Sequence, residues 1–563
     1  MNRLRDSIIN TCISLSLIAG IPIIGPNAAY GQHQGHQASS DPTDYAGKVS
    51  ITVDGTIRYQ TFEGFGATLT AFEKDGEYRR HDHNQPERVT ATQADRLGIA
   101  RMIYTQLGIS RTRVVLEGFE PENDNDDSFS LNPAGFDWSL ADAETNFIRI
   151  ARPFGLQTWW ASFEGTSRRE AWAARGAWRR KPGSDCALNP ALIDEEVEWL
   201  LAAALHYRER GMELKYMAVR NEPDLCGHSG KIEVADMVTI IKRLGKRLRE
   251  NVLQTRIVVS DGWQPANALR YMQAALADQE ARQYVGALAY HSYDGFDDPG
   301  ALLNTSARSN PPHAAIEVRS RIRDLAAQYG LPVWMTEVCY CTRRDFSDFD
   351  LVRARLNHVQ DELTITNVAA FDAMNLFFLN RPGVRDELVN IYFRPDGALD
   401  RYEISIYGYL LSHYSRFISP GSVRVKAESS DAGVRVTAFQ RPDDSPVIVV
   451  INNSSTPIQA NIAIAGLRQI PRTLAAVSSQ ANALLQRAPN VPITDDGTAL
   501  QDKGATTLLP PLSITTFYVP RRSESIGRTQ NHSSRFLNPY PSEPGDPVNT
   551  REIVGSSSKR PGD

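Results

Sequence analysis

The sequence predicts an α/β protein, a (β/α)8 TIM barrel accompanied by an all-β sandwich. Two patterns carry this prediction. Between Phe62 and about Phe417, eight short runs rich in β-branched and aromatic residues alternate with longer segments of helical period. After Pro420-Gly421 the texture changes to short alternating strands. Composition agrees: 563 residues, 41% hydrophobic and 23% charged, give enough apolar mass for more than one core. A net charge of -5 offers no field for a polyanion, so nucleic acid is not an expected partner. The basic stretch "SRREAWAARGAWRRK" around Arg168 to Lys181 reads as a solvated helix or loop.

At the N-terminus, Arg3 and Arg5 precede an apolar run that ends near Gly25, with small residues Ala28 and Ala29 beyond it. Residues 1–31 therefore read as a cleaved secretory signal peptide, which implies a secreted or periplasmic protein with no stable membrane insertion after cleavage. An uncleaved anchor is the alternative; Pro22, Gly25 and Pro26 break the run it would need. Cys12 sits inside the run and not after small residues at its end, against lipid modification. Residues 32–47 are polar and small and read as a linker, and residues 48–61 alternate as a hairpin turning at Asp54-Gly55, whose strands join the sandwich.

The barrel is expected over 62–418. Its strands are "FEGFGAT" at 62, "RTRVVL" at 111, "LQTWWAS" at 156, "KYMAVR" at 215, "RIVVS" at 256, "GALAY" at 286, "PVWMT" at 332 and "FDAMNLFF" at 371. Between them lie amphipathic segments such as "ALIDEEVEWLLAAALHYRERG", with Ile193, Val197, Leu200 and Ala204 on one face. An open doubly wound sheet of the dinucleotide-binding kind needs a third glycine after Gly64-Phe65-Gly66, where Ala67-Thr68-Leu69 stands. The sandwich occupies 419–520, and 521–563, rich in Ser, Pro, Gly, Arg and Asn, reads as a disordered tail. Beyond the signal, Cys186, Cys226, Cys339 and Cys341 permit up to two disulfides of unspecified connectivity. Cys339-x-Cys341 lacks the gap of a zinc site.

In such a barrel, functional groups stand at the C-terminal ends of the strands. Glu222 of "RNEPD" closes the fourth run and Glu337 closes the seventh. Paired carboxylates on facing strands suit acetal hydrolysis, in which one donates a proton to the leaving oxygen and the other meets the anomeric carbon. Glu222 is assigned as general acid/base and Glu337 as nucleophile. A separation of about 5 Å would give retention of configuration, and repulsion from an ionised nucleophile would hold the acid's proton near neutral pH. The bland alternative is two carboxylates serving ion pairs at the rim.

These residues resemble glycoside hydrolase family 30, a clan A group that includes glucosylceramidases, β-1,6-glucanases, β-1,6-galactanases and xylanases. "FEGFGATLTAF", Asn221-Glu222-Pro223, "HSY" at His291 to Tyr293, Thr336-Glu337 and "SHYSRFISPGSVRV" from Ser412 carry the resemblance, which spans about residues 50 to 520. It implies that Asn221 bonds the sugar 2-hydroxyl and that Arg113 neighbours Glu337 and keeps it ionised. It also places His291 and Tyr293 in the cleft, with Tyr293 bonded to Glu337. The bland readings are a structural ion pair for Arg113 and a satisfied core histidine for His291.

Departures bear on specificity. Ala71 stands where the glucosylceramidase branch has an Asp after its Thr, with Glu73 two residues along as a substitute. Met374-Asn375-Leu376 replaces Trp-Asn-Leu, leaving Asn375 in the substrate-binding set, and Ser292 replaces a Trp. Trp160 and Trp172 are the expected replacement sugar platforms, with the condition that one of Trp159 and Trp160 points outward to a helix. The acidic run from Glu117 to Asp127 fails EF-hand spacing, since Phe129 and Gly135 fall where Gly and Glu belong, and reads as a solvated loop that disfavours anionic substrates. No metal or cofactor is expected. The functional expectation is a retaining β-glycosidase acting on an oligo- or polysaccharide or glycoconjugate. A non-catalytic carbohydrate-binding protein on the same fold and a transglycosylase are the alternatives.

Overall fold

A strand that lines a closed barrel has side chains on one face and helices on the other, so both faces are dry and its residues are apolar at successive positions. In the computed structural model, Gly64–Leu69 meets this condition with all its residues buried. The structure describes residues 47–69, 71–74, 77–80, 88–116, 136, 138–163, 180–184, 186–226, 230–294, 313–338, 349–379, 387–495 and 503–521. The signal peptide, nearly all of the linker and tail, Thr70, the acidic run Glu117 to Asp127, Trp172, Cys339 and Cys341 lie outside the described residues.

Eight parallel strands close the barrel, in chain order Gly64–Leu69, Arg111–Leu116, Thr158–Phe163, Tyr216–Ala218, Arg256–Gly262, Val285–His291, Val333–Glu337 and Ala370–Ala373. Each falls on one of the eight predicted runs. Closure pairs the last strand with the first, Phe371 opposite Phe65 and Asp372 opposite Gly66. The interior is filled by Trp160 and Trp334, with ring centroids 5.6 Å apart, and by the small Ala218, Val258, Ala287, Ala289, Ala369 and Ala370 that leave room for them. Gly66 is required here, because a methyl group on it would collide with the Asp372 carboxylate that pairs with buried Arg111. Helix Ile193–Glu209 packs outside with Ile193, Val197, Leu200 and Ala204 buried, but Glu195, Glu196, Glu198 and Trp199 are buried too, so the helix is covered on more than the one face the period predicts.

Two expectations are corrected. The last run splits at Met374: Asn375–Leu379 leaves the barrel and forms a separate sheet with Glu387–Phe393 and Leu399–Ile404. A continuous apolar run does not show which residues change sheet. Residues 48–61 are one strand, Lys48–Thr61, and not a hairpin. Gly55 serves close approach, since a Cβ there would strike Leu467 and the Gly466 carbonyl. The register with Val423–Ser429 shifts just beyond Asp54, so the turn-like dipeptide marks a bulge.

That strand joins a ten-stranded sheet with the C-terminal strands. Besides the alternating runs expected from sequence, "SVRVKAE" at 422, "VRVTAFQ" at 434, "PVIVVINN" at 446, "QANIAIAG" at 459, "TLAAVSS" at 473 and "SITTFYV" at 513, the sheet contains Ala483–Pro492, Thr494–Asp495 and Lys503–Leu509. The first of these escaped the reading because its residues are exposed or part-exposed at all positions but Val491 and lack a period-two pattern. Pro446–Asn452 is buried at every position. Its Ile448 and Val450 join the sandwich core, while Val447, Val449 and Ile451 join the barrel's core. Alternation along one strand thus welds the two layers together. At the same junction His413, from helix Ile406–Ser415, is fully buried between the Thr516 and Ser479 hydroxyls at 2.9 and 2.7 Å. Burial pushes its pKa down to about 3, leaving a neutral, structural imidazole. Cys186 and Cys226 form a disulfide. Among the described residues no helix is long and apolar enough to cross a membrane.

Phe439 lies fully buried at the junction, with its ring 5.8 Å from that of Phe62. Phe439→Ala should cost about 3–5 kcal/mol. In urea denaturation the barrel and sandwich should still unfold in one transition, at a lower midpoint.

Candidate active site

The fourth strand, Tyr216–Ala218, is short because its chain must turn outward at the barrel mouth to present Asn221 and Glu222. Glu222 does so with φ of 50°, a left-handed conformation that a non-glycine residue adopts at a cost of about 1–3 kcal/mol. The neighbouring fifth strand ends likewise, with Asp261 at φ 58°. The two left-handed residues are tied together by the Glu222 N–H donating to the Asp261 carbonyl at 2.9 Å. Beyond Glu222 the loop is held at three more points. The Pro223 carbonyl accepts from Ile232 N at 2.9 Å, the Asp224 carboxylate accepts from Trp263 N at 2.8 Å, and Cys226 is bonded to Cys186.

Arg113 on the second strand is fully buried and gathers the site. Its Nη1 donates to Glu337 Oε2 at 2.7 Å, and its Nη2 donates to Asn221 Oδ1 at 2.5 Å and to Asp261 Oδ2 at 2.8 Å. His291, at the end of the sixth strand and also fully buried, has a carboxylate at each ring nitrogen. Nδ1 is 2.9 Å from Glu222 Oε1, and Nε2 is 3.2 Å from Asp261 Oδ1. Tyr293 OH donates to Glu337 Oε1 at 2.8 Å. The nearest polar atoms of Glu222, His291 and Glu337 all lie within 4.8 Å of one another.

Burial alone would lower the His291 pKa, but the Glu337 and Asp261 carboxylates outweigh it and push it up to about 10. At neutral pH this favours the protonated ring, whose nitrogens face the Glu222 and Asp261 carboxylates. Burial alone would raise Asp261; Arg113 and His291, with the Ser162 hydroxyl at 2.5 Å, hold it well below the usual carboxylate range. Thr336 Oγ1 gives Asp261 a further hydrogen bond at 2.6 Å. For Arg113, too, the carboxylates overcome desolvation and strengthen its hold on the proton.

Of the residues singled out from sequence, Glu222, Glu337, Asn221, Arg113, His291 and Tyr293 come together in this one cluster. Trp160 does not join it as a platform. The residue is wholly buried in the barrel, its indole N–H donates to Asp372 at 3.1 Å, and its ring offers no face to a ligand. Trp159 is the partner that points outward, donating to the Met212 carbonyl. Asn375 is buried at the first position of the separate three-stranded sheet and bonds neither carboxylate. Sequence reasoning missed Asp261, although it ends the fifth run in "RIVVSDGW" and the strand-end rule that chose Glu222 and Glu337 applies to it equally.

A buried imidazolium makes stability depend on pH with a defined sign. His291 has its pKa raised, so its contribution is complete below about 6.5 and is lost as pH rises through about 10. Thermal melts from pH 6 to 10 should show a steeper alkaline fall for the native chain than for His291→Gln. Asp261→Asn should lower kcat by about 100-fold with a smaller effect on KM, because it unsettles the charges around both glutamates without removing either. Steady-state kinetics on a soluble glycoside checks this.

Residues 421–517 match the glycosyl hydrolase family 30 β-sandwich domain. A glucuronoxylanase of Bacillus subtilis strain 168 is 28% identical over 302 residues, which make up 51% of this chain and 64% of that protein. The matched stretch is thus less than two thirds of that relative's length. Among solved structures, a family 30 endoxylanase from Clostridium papyrosolvens superposes with TM-score 0.60 at 17% identity, covering 84% of this chain and all (100%) of the other. An endo-β-1,6-glucanase gives 0.55 at 18% identity, covering 85% and 96%. At these identities the structural likeness establishes the shared fold, a barrel with an attached β-sandwich.

Proposed function

From the premise that this chain belongs to glycoside hydrolase family 30, we propose that it hydrolyses β-glycosidic bonds by double displacement with retention of anomeric configuration. The observation that carries this reading is the 4.8 Å limit on the separation of the Glu222 and Glu337 oxygens. Retaining enzymes place the two carboxyl groups about 5–5.5 Å apart, whereas an inverting enzyme needs about 6.5–9.5 Å to admit a water between carboxylate and sugar.

In the first step Glu222 gives its proton to the glycosidic oxygen, the bond from that oxygen to the anomeric carbon breaks, and a Glu337 oxygen bonds to the carbon. In the second, Glu222 takes a proton from water, the resulting hydroxide attacks the anomeric carbon, and the ester bond to Glu337 breaks. Charge balance supports these roles. Arg113 and His291 bring two positive charges, and Asp261 and Glu337 bring two negative ones. A proton on Glu222 therefore leaves the buried cluster neutral. After the first step Glu337 is an ester and Glu222 a carboxylate, and the cluster is neutral again. His291 lies between the two, 2.9 Å from Glu222 and 3.7 Å from Glu337, so the negative charge moves around a fixed cation. Asn221, oriented by Arg113, stands where it can bond the sugar 2-hydroxyl, and no step calls for a cofactor.

The substrate class is an oligo- or polysaccharide, or a glycoconjugate, met outside the cytoplasm after removal of residues 1–31. The acidic run from Glu117 to Asp127 supports a neutral glycan. A uronic-acid-decorated xylan cleaved faster than its neutral counterpart would reverse that preference.

Glu337→Gln should lose turnover by about a thousand-fold or more while the melting temperature stays near native. Glu222→Ala should lose hydrolysis of alkyl glycosides similarly, retain it on substrates with good leaving groups, and regain rate with azide, yielding a β-glycosyl azide. Unchanged hydrolysis in either variant would remove the assignment. A screen of β-1,3-, β-1,4- and β-1,6-linked glucans, galactans and xylans identifies sugar and linkage.

A further inference from the structure

A tryptophan in a folded protein usually buries its ring in a core and finds a partner for its indole N–H. Of the chain's eight tryptophans, the described ones pack their rings against a core or another ring in a cluster, with one exception. Trp160, Trp199 and Trp334 are fully buried, Trp159 packs against the barrel core, and Trp138 stacks on His206. Trp263 belongs to none of the hydrophobic clusters. It is half-buried, and among the described residues the aromatic ring beside it is that of Tyr293, with centroids 6.5 Å apart and planes inclined by 30°. Tyr293 is the residue whose hydroxyl meets Glu337.

The backbone beneath this ring is fixed on every side. Asp224, two residues past Glu222, accepts from the Trp263 N–H at 2.8 Å and from Asn267 Nδ2 at 3.1 Å. Asp261, two residues before Trp263, accepts the Glu222 N–H on its carbonyl. Gln264 Nε2 donates to the Tyr293 carbonyl at 3.1 Å. The chain therefore ties an indole that lies outside every hydrophobic cluster to the acid/base on one side and to the nucleophile's tyrosine on the other, which is how a binding surface is pre-organised.

We propose that Trp263 is the sugar platform on the leaving-group side of the cleft, stacking its ring on the C–H face of the pyranose that departs with the proton from Glu222. The side follows from the tether: Glu222 protonates the leaving oxygen, and both the Trp263 N–H and the Asp261 carbonyl two residues before it are bonded to the Glu222–Asp224 segment. An indole stacks on the C–H face of gluco-, galacto- and xylopyranosides alike, so it grips a neutral pyranose unit without selecting among them. The missing platforms at Ser292 and Met374 are thereby compensated from the fifth strand.

This inference rests on the hydrolytic reading above, and its test separates the two. Native chain, Trp263→Ala and Trp263→Phe are assayed on three matched pairs: xylohexaose with β-xylobiosyl fluoride, β-1,6-linked glucohexaose with β-glucosyl fluoride, and β-1,6-linked galactohexaose with β-galactosyl fluoride. Fluoride leaves without a ring to stack. On any pair that the native chain hydrolyses, Trp263→Ala should lower kcat/KM for the oligosaccharide by about 10- to 100-fold. Hydrolysis of the fluoride should stay within about two-fold, and Trp263→Phe should recover most of the oligosaccharide rate. Equal loss on both members of a pair, or loss on neither, overturns the platform while leaving the glycosidase reading intact. Where the native chain acts on another glycan of the screen above, the same comparison is made on that glycan and its glycosyl fluoride; a native chain that hydrolyses no glycan at all removes that reading, and the platform with it.

Discussion

The structure depends on one electrostatic constraint: two buried cations, the Arg113 guanidinium and the His291 imidazolium, must be matched by carboxylates inside the barrel mouth. Removing an ion from water costs several kcal/mol, and that cost is offset only where opposite charges and hydrogen bonds are already in place. Asp261 supplies the fixed half of the match. It bonds both cations and two hydroxyls, and has no atom exposed to a substrate. The catalytic pair supplies the variable half, a single negative charge that sits on either Glu337 or Glu222. Because the count is conserved when the charge moves, the cluster never has to be resolvated during the reaction.

Holding this cluster is the task of the barrel, and several local departures from regular structure follow from it. Glu222 and Asp261 adopt left-handed backbone angles at adjacent strand ends and are bonded to each other, so the strain is distributed over a pair that neither strand can relax alone. Below, the two indoles of Trp160 and Trp334 fill the interior and keep the floor of the site dry. Arg113 lies over the Trp160 ring, 5.5 Å from its centroid, so the tryptophan that was expected to bind sugar instead supports the arginine that binds the nucleophile. The sandwich, welded to the barrel by strands buried on both faces, keeps helix Ile406–Ser415 and the closure of the first and last strands in place.

Much of this was legible in the sequence because it rests on periodic patterns. Eight apolar runs at regular spacing specify a barrel, and a charged residue ending such a run has nowhere to go except the mouth. Glu222 and Glu337 were found this way, and Asn221, Arg113, His291 and Tyr293 through resemblance. What escaped depends on side-chain direction and on contacts between distant segments. Adjacent Trp159 and Trp160 look alike in sequence, and only the pleat decides which faces inward. Asp54-Gly55 reads as a turn until Leu467 is seen pressed against the glycine. Asp261 was visible to the rule already in use, yet aspartate followed by glycine also reads as a loop, and only its bonds to Arg113 and His291 set it apart.

The central claim is that one negative charge passes between two carboxylates that share a single anomeric carbon. The most direct measurement is peptide mapping by mass spectrometry after inactivation with a 2-deoxy-2-fluoro β-glycosyl fluoride of the hydrolysed sugar. The account predicts one glycosyl group per chain, esterified to Glu337. Inactivation with the sugar on any other residue, or turnover with no covalent adduct and an inverted product, would contradict it.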